Sequence, residues 1–491
     1  MPWRERKSIA ALLREGAVDE ASQDRPTLRR SLGVWNLTSL GIGCTIGAGI
    51  FVLTGTAASY AGPAVTLAFV LAAVACLCSA LCYAELASMI PVSGSAYTYA
   101  YATMGEFVAW VVGWNLVLEY LLSVSTVAVG WSGYFGEFLA AQGVHVPAAL
   151  TEPFLVAGLD GAWSLHGGFV NLPAVAIVLA LTAVLSFGIR ESALVNNLMV
   201  SAKLLIIVLV IAFGARYIDT RNWHPFVPPN QGTPGQLGWS GVLHAAGVVF
   251  FAYIGFDVVS TSSQEARNPT RSVPTSLLIT VGICTALYIA MSLVMTGIAP
   301  YALLNVSHPV SVAVDRAGPG LLWLKPIVTA GALIGLASAI LATLYGQIRI
   351  FYCMARDGLI PRAFSQLHPR YRVPSYGTWY SGFAAAFIAA LLPIEILGEL
   401  VSIGTLLAFS IVCAGVIVLR RTEPNRARAF RVPSGNVVAG MGVLSCLALM
   451  LSLPRDTWIR LLIWLLIGFG IYFGYGIRHS KLRLQAKQPH P

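Results

Sequence analysis

Charge is scarce in this sequence. Asp, Glu, Lys and Arg make up 11% of its 491 residues, against about 25% in a soluble domain. A chain that is also 57% hydrophobic, with mean hydropathy +0.74, reads as a membrane protein. Also missing are a Walker loop, a catalytic triad and a zinc motif, so an enzyme or cofactor-dependent reading has nothing to stand on. The eight cysteines fall at 44, 76, 78, 82, 284, 353, 413 and 446, nearly all inside apolar runs. Within "CLCSALC" at 76–82, Cys78 and Cys82 share a helix face, Cys76 does not, and no His is near, which favours packing over a metal. The net charge of +10 is split among short loops. It therefore forms no single basic face of the kind nucleic acid requires.

What is present is a repeated apolar run of about 20 residues, the length that crosses a bilayer as helix. Twelve are legible: 33–57, 63–89, 106–135, 171–189, 195–215, 239–263, 274–298, 323–354, 376–393, 397–419, 436–453 and 458–477. The first follows a charged stretch of about 30 residues and has no cleavage-like end, which argues against a signal peptide. Placing the N-terminus in the cytoplasm puts 23 of the 31 Lys and Arg on the cytoplasmic side, and the loop 136–170 then faces outward with none. That bias is the signature of orientation. The expectation is an all-α, multi-pass protein of the cytoplasmic membrane with both termini inside. It would comprise a charged arm (1–31), a transmembrane domain (32–477) and a basic tail (478–491).

Two runs carry glycine where a helix should avoid it, at a cost of roughly 1 kcal/mol each relative to alanine. The first holds "GIGCTIGAGIF" at 41–51. The sixth holds "GVVFFAYIGFDVVST" at 247–261, with Gly255 beside Asp257. They open two successive groups of five runs. Glycine-interrupted spans in matching places of two halves point to an inverted-repeat transporter with its site at the breaks. Unwound backbone is tolerated in a membrane only where it lines a cavity or lies inside protein. A helix starting near Gly47, Ala48 and Gly49 would offer free N–H groups to a carboxylate. Carbonyls near Thr45, Ile46, Phe250, Phe251 and Ala252 would face an ammonium. A zwitterionic amino acid is the substrate that needs both.

Further strings are "PVSGSAYTYAYATMGE" (91–106), "GWNLVLEY" (113–120), "VNNLMVSAK" (195–203), "FFAYIGFDVVSTSSQEARNPTRSVP" (250–274), "GQIRIFYCMARDGLIP" (346–361), "FRVP" (430–433) and "IGFGIYFGYGIRHSKL" (467–482). Together with the first break they resemble the amino acid–polyamine–organocation superfamily, in its cationic amino acid transporter branch, over essentially the whole chain. The resemblance implies twelve helices: two inverted five-helix repeats (spans 1–5 and 6–10), with spans 1 and 6 broken, and two more at the C-terminus. It implies the same backbone roles at the breaks, Phe251 as a gating aromatic and Ile254 as a contact for the substrate side chain. It also places Lys203 of span 5 where sodium-coupled relatives hold Na⁺, which makes protons the expected coupling ion.

The residues themselves also single out Lys203. It lies eight residues into its span, about 12 Å from the inner end, at the limit of a lysine's reach to the interface. Intramembrane ionisable groups read as functional. Glu119 on span 3 and Asp257 on span 6 are the acidic pair, able to hold a cationic side chain, pair with Lys203 or relay protons; a structural hydrogen bond to a serine or tyrosine competes with each. Glu85 reads as a gate or loop anchor. The charges of "MARDGLIP" read as a solvated turn with inner-gate contacts, "EARNPTR" (265–271) as a helix stop, and Ser338 as a side-chain pocket residue. The expected function is proton-coupled import of L-amino acids, cationic (Arg or Lys) or small and neutral (Ala), with an amino acid or polyamine exchanger as the alternative. The partners expected are the amino acid, protons and the lipid bilayer, with no nucleic acid. With no cysteine in an expected outer loop, no disulfide-linked heavy chain is expected.

Overall fold

A computed structural model of the chain describes residues 6–9, 12, 32–92, 94–157, 163–165, 168–187, 193–230, 232–263, 266–371 and 373–487. It is built of helices: α1 (Val34–Thr45), α2 (Thr54–Ala61), α3 (Val65–Met89), α4 (Ser95–Thr103), α5 (Glu106–Ala141), α6 (Leu172–Ser186), α7 (Ala193–Gly214), α8 (Gly238–Val249), α9 (Val258–Thr261), α10 (Pro269–Ile298), α11 (Pro309–Arg316), α12 (Lys325–Arg356), α13 (Ser375–Leu391), α14 (Ile394–Thr422), α15 (Asn436–Ser452), α16 (Arg455–Ile471) and α17 (Lys481–Lys487). Among the described residues, eight helical stretches of 21 to 41 residues are long and apolar enough to cross a membrane. The other expected spans fall on the broken pair α1–α2 and on the shorter α6, α13 and α15. All twelve expected runs thus coincide with helix.

Helix starts follow local chemistry. Proline, whose missing N–H is an orphan in a first turn, stands there in α6, α10, α11 and α12. Asn171 caps α6 by accepting from the Ala174 N–H at 3.2 Å. Outside the twelve runs lie α4, α11, α17 and a short antiparallel pair, β1 (Leu155–Ala157) and β2 (Trp163–Leu165), with Leu155 opposite Leu165.

The broken helices lie at the centre. α1 packs against α7, α10 and α12, and α8 against α2, α3, α14 and α15. Lys7 and Arg483 lie on one side of the molecule, called here the terminal face. There the "MARDGLIP" turn departs from its reading as solvated. Asp357 is buried, accepting from Tyr97 Oη at 2.7 Å and Lys7 Nζ at 2.8 Å. Glu106 beside it accepts from Tyr472 and Arg483 at 2.9 and 2.8 Å. Glu85 takes the anchoring role: it receives Arg420 Nε at 2.9 Å and the Val432 N–H at 2.8 Å, tying down the loop after α14. Lys325, expected within a span, instead starts α12 at the opposite face, paired with Asp315 and Glu137 at 2.6 and 3.1 Å. Most of the arm 1–31, and Glu265 of "EARNPTR", lie outside the described residues; of the arm, Lys7, Ile9 and Leu12 are buried.

Candidate functional site

Helix α1 stops at Thr45. Ile46 turns extended (φ −79°, ψ 98°), and helix resumes at Ala48 through one wide turn, Gly49–Leu53. Helix α8 tightens into the turn Phe250–Tyr253, breaks at extended Ile254 and at Gly255 (φ +112°), and resumes as α9. The two breaks press on each other. A Cβ on Gly255 would lie 2.8 Å from the Cys44 carbonyl carbon, and one on Gly49 would overlap the Ala252 backbone. Glycine at these two positions therefore lets the broken helices cross.

Between the breaks lies a cavity of about 30 Å³. Thr45, Gly47, Ala48, Phe251 and Ile254 line it, together with Cys44, Gly255 and Val258 from the same two helices. Its remaining walls are Tyr120, Ser123 and Val127 of α5, and Ala339 and Thr343 of α12. No charged side chain is among them. The volume holds a water or two, so this conformation is closed and must open to admit a metabolite. The helix that restarts at Ala48 presents first-turn N–H groups that have no partner within their own helix.

The remaining sequence-predicted residues stand around this cavity. The Lys203 side chain is buried, its Nζ donating to Gly43 O at 2.9 Å and Ile46 O at 3.2 Å. It thus ties α7 to the carbonyl end of α1, where the helix dipole is negative. Phe250 packs edge-on against Phe409, and Gly49 packs on Ala252. Glu119 and Asp257 are fully buried just behind the lining. Ser95 donates to one Asp257 oxygen at 3.1 Å, while both Glu119 oxygens and the Tyr120 hydroxyl have no hydrogen-bond partner. Ser338 points elsewhere, donating to Gly335 O at 3.0 Å; Ala339, about 100° further round the helix, meets the cavity.

Sequence reasoning missed Tyr288. From α10, its hydroxyl sits 3.0 Å from Thr45 O and 2.6 Å from Ala252 O, joining the carbonyl ends of both breaks. Lys203 uses one lone pair each of Gly43 O and Ile46 O, and the single Tyr288 proton serves Ala252 O or Thr45 O; each carbonyl has two lone pairs. Tyr288→Phe should leave one of these two buried acceptors without its donor, at roughly 1–3 kcal/mol. The expected result is a lower melting temperature and weaker substrate binding. Unchanged values in both would mean that the bridge does not hold the breaks together.

Two interrupted helices crossing at a closed cavity, built from backbone donors and acceptors, have the architecture of a secondary transporter. The comparisons agree. The amino acid permease family profile matches residues 32–472. The chain is 47% identical to the branched-chain amino acid permease BcaP of Bacillus subtilis, over 94% of this chain and 96% of that one. It is 45% identical to the methylthioribose transporter of the same organism, over the same shares. It is 38% identical to the vacuolar cationic amino acid transporter 4 of Arabidopsis thaliana, over 84% of this chain and 68% of that one. The chain belongs to the amino acid permease family; it is a multi-pass membrane transporter and not an enzyme.

Proposed function

We propose that this permease imports neutral, apolar L-amino acids across the cytoplasmic membrane by alternating access, in symport with protons, with both termini in the cytoplasm. The observation that carries the substrate class is the cavity wall. Backbone groups of the two breaks serve the α-carboxylate and α-ammonium, Val127, Ile254, Val258 and Ala339 offer apolar surface for the side chain, and the polar wall residues Thr45, Tyr120, Ser123 and Thr343 carry no charge. A guanidinium or ε-ammonium there would be desolvated with no carboxylate among the wall residues, at several kcal/mol. Glu119 and Asp257 are fully buried and are not among the lining residues, whereas Tyr120, next to Glu119 in the chain, is. The name of the branched-chain relative supports this reading, and the name of the cationic relative supports its rival.

Uptake of labelled leucine into liposomes, with excess alanine, valine, isoleucine, arginine, lysine or methylthioribose as competitor, decides between them. Competition by the aliphatic amino acids, with arginine and lysine inert, is the expected result. Glu119→Gln should then change the pH dependence of uptake and leave the competitor ranking alone. Arginine or lysine competing as well as leucine, with Glu119→Gln abolishing only that competition, would overturn the substrate class. Methylthioribose competing while no amino acid does would overturn it too.

A further inference from the structure

A second ionisable cluster lies away from the cavity, at the opposite face. His244 sits on the second turn of α8 and is 6% exposed; Glu399 on α14 is 8% exposed. His244 Nδ1 is 3.0 Å from the carbonyl oxygen of Gly235, in the loop before α8. Its Nε2 is 3.4 Å from Glu399 Oε1. The other Glu399 oxygen accepts from Thr457 Oγ1 of α16 at 2.6 Å. Tyr60, at the end of α2, lies against the imidazole with ring centroids 4.3 Å apart. The Tyr60 carbonyl in turn accepts from the Leu237 N–H at 2.7 Å, at the start of α8.

Both ring nitrogens therefore face acceptors. A carbonyl oxygen cannot donate, so Nδ1 must carry a proton. A neutral imidazole then has a bare Nε2 turned toward a carboxylate, lone pair against lone pair. Nε2 has no hydrogen-bond partner, and one more proton, on Nε2 or on Glu399, turns that repulsion into attraction across 3.4 Å. The titratable groups that the packed elements bring to this end are Tyr60 from α2 and Glu395 and Glu399 from α14. Arg455 and Asp456, which open α16 beside Thr457, are exposed. The described parts of α3 and α15 bring no carboxylate, imidazole or amine to this end.

The cluster joins both broken helices to α14 and α16. α2 is the second half of the first broken helix, and α8 is the first half of the second. We propose that His244 and Glu399 form a second proton-binding site, separate from Lys203, and that the shared proton latches α2 and α8 to α14 and α16 and so holds the opposite-face entrance closed. The inference rests on the proton-coupled reading above and adds a group that senses acidity from the side where the protons arrive. Closure and protonation are linked reciprocally: whatever protonates the pair favours the closed entrance, and closing the entrance favours the proton.

Two measurements on the full-length protein test it. In the first, ¹⁵N-histidine-labelled protein in detergent is titrated by NMR from about pH 5 to about pH 9, the range an imidazole spans. The ring signal absent from His244→Gln is assigned to His244. Its transition should differ in Glu399→Gln; an unchanged transition would mean the two groups share no proton. In the second, leucine counterflow is measured between liposome compartments held at equal pH. The wild type should run slower at acid than at alkaline pH. Glu399→Gln and His244→Gln should each lose that slowing, and the double variant should show no further change. Variants that keep the wild-type pH profile would overturn the latch. The NMR result needs neither leucine as cargo nor Lys203 as coupling group, so failure of the transport reading stays distinguishable from failure of this one.

Discussion

Gly255→Ala and Gly49→Ala are expected to abolish transport, although each adds only a methyl group. Gly255 holds φ at +112°, where a Cβ is strained whatever space surrounds it, and its Cβ would meet the Cys44 carbonyl carbon and oxygen at 2.8 and 2.9 Å. A residue held in such a conformation costs about 1–3 kcal/mol, and overpacking adds about as much again. At Gly49 the obstacle is the Ala252 backbone, which cannot rotate away as a side chain can. Each substitution forces the two breaks apart, and with them the carbonyls that Tyr288 joins. Gly47→Ala differs, because its Cβ would meet Ala339 Cβ at 3.3 Å, a contact that a small shift relieves. It should reduce the affinity for substrate and leave the fold intact. Gly33→Ala, with nothing within 4 Å, should match the wild type. Melting temperature in detergent and leucine uptake in liposomes separate these outcomes. A Gly255→Ala protein that transports at the wild-type rate would show that the crossing of the breaks is dispensable.

The same geometry explains what could be read in the chain beforehand. The breaks were legible because they oblige the sequence to use glycine inside apolar runs, and the cavity-lining residues of α1 and α8 follow from them. The walls from α5 and α12 were not legible. Both are uninterrupted helices, and nothing local marks which of their faces meets the cavity. Glu119 draws attention by its charge, yet its neighbour Tyr120 lines the cavity; the sequence points to Ser338 where Ala339 stands. Tyr288 is one aromatic among many in apolar runs. Only the fold brings its hydroxyl to carbonyls 36 and 243 residues away in the chain. The Asp357 turn was misjudged for the same reason. A charged Arg-Asp-Gly stretch reads as solvated until a lysine 350 residues distant folds over it.

Lys203→Met should separate carriage of substrate from its accumulation. The lysine stem lies against α12, where a Cβ on Gly335 would come within 3.2 Å of it, and methionine fills much of the same volume without the charge. What is lost is the ammonium, which links Gly43 O and Ile46 O of the first break to α7. We expect the protonated amine to hold that break closed around substrate, and the deprotonated amine, with one fewer donor and no charge, to let it go toward the cytoplasm. Each charge moved across 100 mV contributes about 2.3 kcal/mol to the cycle. In wild-type liposomes, leucine uptake should accelerate when the outside is made acid, lose that acceleration with a protonophore, and ignore replacement of Na⁺ by K⁺. Lys203→Met should remain folded and retain part of its counterflow, which needs no gradient, while concentrating no substrate on a pH gradient. An exchanger would show the opposite pattern in the wild type, with counterflow but no gradient-driven uptake. Uptake that requires Na⁺, or a Lys203→Met protein that still accumulates leucine on a pH gradient, would move the coupling ion away from this lysine. Glu119 and Asp257, buried behind the cavity with oxygens left unpaired, would then be the groups to test.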